Sequence, residues 1–256
     1  MDKVIVVTGA SAGIGAALAR QLAAKGAKLV LAARRQPELE AVAAACGPDA
    51  RAVVADVTSR EQVQKLFDTA LEKFGRVDVW VNNAGRGITR LFSELSEDDL
   101  DAMWRDNVKS AFYGMQVVLP YFKARGAGQI VNVSSGLGRM PTVPFRSAYS
   151  AAKHALNALS ACLRMELAGS HPGLTVSVVM PGPVATDFGA SALGGGPDSR
   201  SLPNVQSAED AAAVIADVIE RPRPEAYTAP QMQQQVEAYY QDVAKAEQAA
   251  AARFRR

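Results

Sequence analysis

Six short apolar runs, Val4–Val7, Lys28–Ala32, Ala52–Ala55, Val77–Val81, Gln129–Val133 and Leu174–Val179, recur along this chain, each bounded by Gly, Asp, Asn or Ser. Between them, Gly15–Lys25, Glu61–Phe74, Asp98–Ala124 and Ser147–Ala168 carry helical periodicity. Runs this short and this apolar read as strands buried on both faces. Their alternation with helices predicts a doubly wound parallel sheet flanked by helices on both faces. No Pro/Gly/Ser-rich linker divides the 256 residues, so one α/β domain is expected over 1–256. In such a sheet, ligands bind outside the carboxyl ends of the strands. Function is therefore to be sought in the residues that follow each strand.

Composition narrows the choice of partner. Lysine and arginine total 28 against 26 Asp and Glu, scattered along the chain, which gives no reason to expect nucleic acid or an anionic membrane. Cys46 and Cys162 stand far apart and in no C-x-x-C pattern, as suits small core residues in a reducing compartment. Metal is not expected, because no His, Cys and carboxylate cluster stands at ligand spacing. The N-terminal M-D-K-V-I-V-V-T-G-A flows into a glycine motif with no cleavage region, and no run approaches the ~18 apolar residues of a bilayer span. A soluble, cytoplasmic protein is expected. Gly189–Pro203 reads as a flexible lid over the site. Gln231–Arg256, without Gly or Pro and rich in Ala, Gln and Glu, reads as a C-terminal helix.

The first run ends in T-G-A-S-A-G-I-G, with Gly9, Gly13 and Gly15 spaced around Ser11, Ala12 and Ile14 at the opening of a helix. Glycines let the backbone turn tightly and approach a pyrophosphate, and the helix N-terminus supplies amide donors. The second run ends in A-A-R-R. Where an NAD site carries an acid for the ribose 2′-hydroxyl, this chain has Ala33. Arg34 and Arg35 instead offer guanidinium groups suited to a 2′-phosphate, so NADP is expected in preference to NAD. After the third run, Asp56 and Val57 are placed near the adenine, with Asp56 accepting from its amino group or capping the next turn with Thr58 and Ser59. The fourth is followed by N-N-A-G, in which Asn83 ties strand ends and Ala84 and Gly85 leave room for the cofactor. The fifth is followed by Ser134 and Ser135, and the sixth by P-G-P-V-A-T, which brings Pro181, Gly182, Val184 and Thr186 beside the nicotinamide.

Tyr149 and Lys153, in Y-S-A-A-K, stack one turn apart on a helix face. Two unit charges about 4 Å apart at an effective dielectric of ~20 interact by roughly 4 kcal/mol. That is enough to draw a phenol from ~10 toward ~7, where acid–base catalysis is efficient. His154 is adjacent but points away along the helix.

Taken in order, T-G-x-x-x-G-I-G, N-N-A-G, N-V-S-S, Y-x-x-x-K and P-G resemble the short-chain dehydrogenase/reductase family over roughly Lys3 to Ile219. The resemblance implies a Rossmann-type fold and a catalytic tetrad that maps onto Asn107, Ser135, Tyr149 and Lys153. It favours Ser135 over Ser134, because the family usually uses the second serine. It implies that Ser135 and Tyr149 bind the substrate oxygen and Tyr149 exchanges its proton. Lys153 would then hold the nicotinamide ribose, with Asn107 fixing a water that links Lys153 to solvent. It also implies a homo-oligomer, tetramer or dimer, built partly from the long fourth and fifth helices.

The expected activity is hydride transfer between NADP(H) and a small-molecule carbonyl or secondary alcohol. Leu137, Met140, Phe145, Val184 and Phe188 are expected to wall an apolar pocket, and Arg86 and Arg90 either attract an anionic group or are solvated. Two alternatives stand. One is a 3-oxoacyl thioester reductase, which needs a basic patch for an acidic carrier protein. The other is an NADP-sensing regulator without turnover.

Overall fold

The structure is a computed structural model that describes residues 1–202 and 205–254. Seven parallel strands form one sheet: β1 (Val4–Thr8), β2 (Lys28–Ala33), β3 (Ala50–Val54), β4 (Val79–Asn82), β5 (Gly128–Val133), β6 (Leu174–Met180) and β7 (Glu225–Tyr227), in the order β3-β2-β1-β4-β5-β6-β7. The order reverses between β1 and β4, so the crevice for a ligand opens above their carboxyl ends. Alternate residues of each strand face opposite layers. Ile5 and Val7 pack under helices α1 (Gly13–Ala24), α2 (Gln36–Cys46) and α7 (Ala208–Glu220), where Leu18, Leu22, Ile215 and Ile219 are fully enclosed. Val6, Val30 and Trp80 face α3 (Arg60–Phe74), α5 (Ser110–Arg125) and α6 (Ser147–Ala168), where Val63, Leu66, Val118 and Phe122 close the second core. Each enclosed Leu, Ile or Phe contributes about 1.5–3 kcal/mol by leaving water.

The six expected strands and the doubly wound fold are present, with three differences. The short edge strand β7 and the helices α2 and α7 join the expected elements. The expected long helix Asp98–Ala124 is interrupted. It runs as α4 (Glu97–Trp104), then a π-helical turn over Arg105–Lys109, then α5. The expected tail helix is two helices, α8 (Met232–Gln241) and α9 (Val243–Phe254), parted where Asp242 leaves helical geometry at φ −149°. Residues 255–256 of that expectation, and Pro203 of the expected lid, lie outside the described residues. No described helix is long and apolar enough to cross a membrane.

Candidate active site

The glycine loop and N-N-A-G form one unit at the switch point. Thr8 Oγ1 accepts from the backbone N–H groups of Asn83 at 3.0 Å and Ala84 at 3.1 Å, and Asn83 Nδ2 donates to the Thr8 carbonyl at 2.9 Å. A Cβ on Gly9, whose φ is +66°, would stand 2.8 Å from Ala84 Cα. One on Gly15 would stand 2.6 Å from Asn83 Nδ2. Only glycine lets the two loops approach this closely. Across the crevice Thr186 Cγ2 would lie 3.1 Å from a Cβ on Gly13. The cradle between Gly9–Gly15 and Pro181–Thr186 is thus lined by backbone and small side chains at the N-terminus of α1. That is what a pyrophosphate requires, and Ser11, Ala12 and Ile14 lie within it. Below the loops, buried amides continue the tie. Asn82 Nδ2 donates to Asn132 Oδ1 at 2.8 Å, and Asn132 Nδ2 to Ser160 Oγ at 2.8 Å.

At the end of β2, Arg34 and Arg35 are exposed. Arg35 Nη2 donates to Ser11 Oγ at 3.2 Å and its Nη1 pairs with Glu38, so this guanidinium leans toward the glycine loop. Arg34 is in no ion pair among the described residues, and its charge reaches Asp56. Burial pushes the Asp56 carboxyl up, but the Thr58 donors and Arg34 outweigh it and hold it below the usual range. Asp56 Oδ1 accepts from Thr58 N–H at 2.9 Å and Thr58 Oγ1 at 2.8 Å, so the turn-capping role is realised, with Val57 between them.

Of the expected tetrad, Asn107 and Lys153 stand beside Gly85, the Tyr149 ring lies next to Lys153, and Ser135 faces Tyr149. Asn107 is buried in the π-helical turn, a device that re-aims side chains and is frequent at functional sites. Its Nδ2 donates to the Arg86 carbonyl at 2.9 Å and its Oδ1 accepts from Arg86 N–H at 3.2 Å, which locks N-N-A-G to the helix. A Cβ on Gly85 would stand 2.8 Å from Asn107 Oδ1 and 3.4 Å from Lys153 Nζ. Ser134 Oγ turns away to donate to the Lys153 carbonyl at 3.3 Å, which leaves Ser135 to face Tyr149. His154 is engaged with the Ser150 carbonyl at 2.8 Å.

Electrostatics in the site differ from the simple pair expected. Lys153 Nζ donates to the Val133 carbonyl at 3.0 Å and lies 5.6 Å from the centroid of the Tyr149 ring. Burial pulls the ammonium down to about 8. Burial also pushes the Tyr149 phenol up to about 12, against the Ser135 hydroxyl and the Arg146 charge, which pull it down. At neutral pH the phenol is therefore protonated, the form that can donate.

Several neighbours carried no signal in the sequence. Met232 of α8 covers both strand ends, with its Sδ 2.6 Å from a Cβ built on Gly136 and its Cε 2.9 Å from one on Gly182. Tyr240 donates to the Arg139 carbonyl at 2.7 Å, and Phe254 packs edge-on against Phe145 at 5.3 Å. The tail thus walls one side of the site. Phe188 stacks on Tyr149 at 5.5 Å, and Leu137 joins the same apolar cluster. Val184 pairs with Gln206 instead, and Arg90 is bound to Asp99 at 3.1 Å, which neutralises it as an anion trap.

A family model described as short chain dehydrogenase matches residues 3–193. The chain belongs to the short-chain dehydrogenase/reductase family. It is 40% identical over 190 residues to an uncharacterized oxidoreductase of Listeria innocua, covering 73% of this chain and 76% of that protein. The structure of a short-chain dehydrogenase/reductase from Burkholderia phymatum in complex with NAD superposes with a TM-score of 0.85 at 29% identity, covering 94% of each chain. An alcohol dehydrogenase from Thermococcus sibiricus complexed with 5-hydroxy-NADP gives a TM-score of 0.77 at 30% identity, covering 89% of this chain and 96% of that one. This family member is therefore an oxidoreductase with a nicotinamide dinucleotide fold.

Proposed function

We propose that this short-chain dehydrogenase/reductase transfers hydride between NADP(H) and a carbonyl or secondary alcohol, with Tyr149 as the acid–base. The reading is supported by Asn107 and Lys153 beside Gly85, with Tyr149 next to Lys153 and Ser135 facing Tyr149, near the glycine loop at the start of α1. The bound nicotinamide supplies or accepts the hydride. Gly9 to Gly15 would hold its pyrophosphate, Asp56 and Val57 the adenine side, and Asn83 to Gly85 with Pro181, Gly182, Val184 and Thr186 the nicotinamide side. Ser135 and Tyr149 hold the substrate oxygen and meet the negative charge that grows on it in reduction. Tyr149 Oη then gives its proton, since a phenol is a stronger acid than the alcohol formed. Lys153 holds a positive charge near the Tyr149 ring and engages the ribose hydroxyls. Asn107 positions a water through which the proton is replaced.

Arg34 and Arg35 support NADP, because no carboxylate stands at Ala33 to hold a free 2′-hydroxyl. Exposed Trp104, Phe112, Leu159 and Met165 on α4 to α6 support a homo-oligomer through those helices. The free, exposed thiol of Cys162 supports a reducing, cytoplasmic location. The described part of the expected lid, Gly189–Leu202, covers the site in this reading. Leu193 bridges to Ile88, and the Gly189 N–H donates to Ser199 Oγ at 3.2 Å, so it rests over residues 87–89. The test is the fall in NADPH absorbance with ketones, aldehydes, diketones and 3-oxoacyl thioesters. Turnover is expected for at least one class, with NADH poorer. Tight NADPH binding without any turnover favours the regulator.

A further inference from the structure

Arg146 is a buried guanidinium without an ion-pair partner among the described residues, and the centroid of the Phe145 ring lies 6.0 Å from its Cζ. Only 9% of the residue is exposed, and no described carboxylate pairs with it. Its Nη1 is fully enclosed and makes no hydrogen bond. Burial pulls the Arg146 guanidinium down from the usual arginine value, but an arginine side chain is not deprotonated in proteins, so it does not escape this cost by losing its proton. Buried donors left unpaired are rare in native structures and each calls for an explanation. A second orphan lies beside it. Thr89 Oγ1 is likewise enclosed and unpartnered, and a Cβ on Gly196 would stand 2.9 Å from it and 3.5 Å from Arg146 Nη2. Thr89 Oγ1 and Arg146 Nη2 thus flank the Gly196 position, while the orphaned Nη1 lies against Gly87, where a Cβ would collide with it and stand 2.9 Å from Phe188. The missing side chains at both glycines keep the guanidinium clear.

The location ties these donors to the chemistry. Arg146 is the residue before α6 and stands one turn ahead of Tyr149, while Phe188 touches both the Gly87 position and the Tyr149 ring. Gly87 is itself two residues beyond the Gly85 turn. Two enclosed donors, one permanently charged, at the positive end of a helix suit an acceptor-only anion. The geometry points to a carboxylate subsite formed by Arg146 and Thr89 under the Gly189–Leu202 segment, so that the substrate is an oxo or hydroxy acid rather than a neutral carbonyl compound. The inference rests on the reductase reading for its choice of reacting group. It adds a charged group to the apolar pocket expected from Leu137, Met140, Phe145, Val184 and Phe188, and it assigns to Arg146 the anion role that the sequence offered to Arg86 and Arg90.

The test pairs each of a series of oxo acids, with 2-, 3- and 4-oxo spacing and an aromatic member, with its methyl ester. The full chain is used with NADPH, as wild type and as Arg146→Met, Arg146→Lys and Thr89→Val. At least one acid is expected to exceed its ester in kcat/KM by about 10- to 100-fold, the usual value of a hydrogen bond to a charged group. That ratio should collapse toward one in Arg146→Met and fall in part in Arg146→Lys and Thr89→Val. Taking the ratio cancels any effect of the Arg146 charge on Tyr149 itself. Calorimetric binding of the same pairs to Tyr149→Phe with NADPH reads the subsite without turnover. Acids that bind there better than esters, with no turnover in wild type, keep the subsite and sink the reductase reading. Esters equal to acids throughout, or a ratio that survives Arg146→Met, overturn the subsite and leave the reductase reading standing.

Discussion

Replacing Lys153 by Met should change how stability depends on pH, and by an amount the structure sets. Lys153 is 3% exposed, and burial alone displaces its ammonium from 10.5 to about 8. That displacement corresponds to roughly 3 kcal/mol at 1.36 kcal/mol per unit. A base with a depressed native pKa stabilises the fold only above its unfolded pKa, and that stabilisation is lost as pH falls through the native one. Wild type should therefore gain stability between about pH 8 and 10.5, the window in which the unfolded chain still binds the proton and the native chain does not. Met keeps the length and removes the charge, so it should be the more stable form near pH 7. The lost bond to the Val133 carbonyl offsets about 1 kcal/mol of that gain. Urea unfolding of both proteins without nucleotide, at intervals from pH 7 to 10.5, reads the difference directly. The advantage of Met should shrink by on the order of 3 kcal/mol across the window. Parallel curves would refute the claim that a buried, charged Lys153 is held against its own desolvation.

Arg34→Ala should weaken NADPH about 10- to 100-fold in fluorescence titration, the value of a lost charge-assisted bond, while NADH changes little. Equal losses would remove the 2′-phosphate contact. In Gly15→Ala the added methyl meets the Gly9 carbonyl and Asn83 Nδ2. It should therefore cost about 1–3 kcal/mol in denaturant unfolding and weaken NADPH binding too. Leu66, fully enclosed beneath the sheet, should cost about 2–5 kcal/mol when cut to Ala, with NADPH affinity unchanged at temperatures where the protein stays folded.

How far the sequence carried depends on the range of each signal. The strands β1, β2 and β4 to β6 were legible because burial on both faces leaves continuous apolar runs such as Val4–Val7, whereas the edge strand β3 is only partly buried. The three-residue β7 was not legible, since Glu225–Tyr227 is too short and too polar to show a period. The interruption at Arg105–Lys109 was hidden because a π-helical turn keeps helical composition and shifts only the register. Asn107, which the family resemblance singled out, lies within that turn and is buried. Ser135 and Lys153 were legible through motif order, whereas the relation of Lys153 to Tyr149 was not. Helical spacing places two residues on one face, but the Val133 carbonyl that claims Nζ comes from a strand. Arg146 in P-F-R-S and Met232 belong to no motif, so nothing local marked them. Their burial depends on Gly87, Gly136 and Gly182, which sit far away in sequence.

The central claim, that Tyr149 exchanges the proton in a nicotinamide-dependent reaction, is tested most directly by Tyr149→Phe. NADPH affinity and NADPH oxidation are measured on the same preparation with a carbonyl compound that wild type reduces. The account predicts oxidation at least ~10²-fold slower, the usual share of general acid catalysis, with NADPH affinity within a few-fold of wild type. Turnover by Tyr149→Phe at the wild-type rate would contradict it.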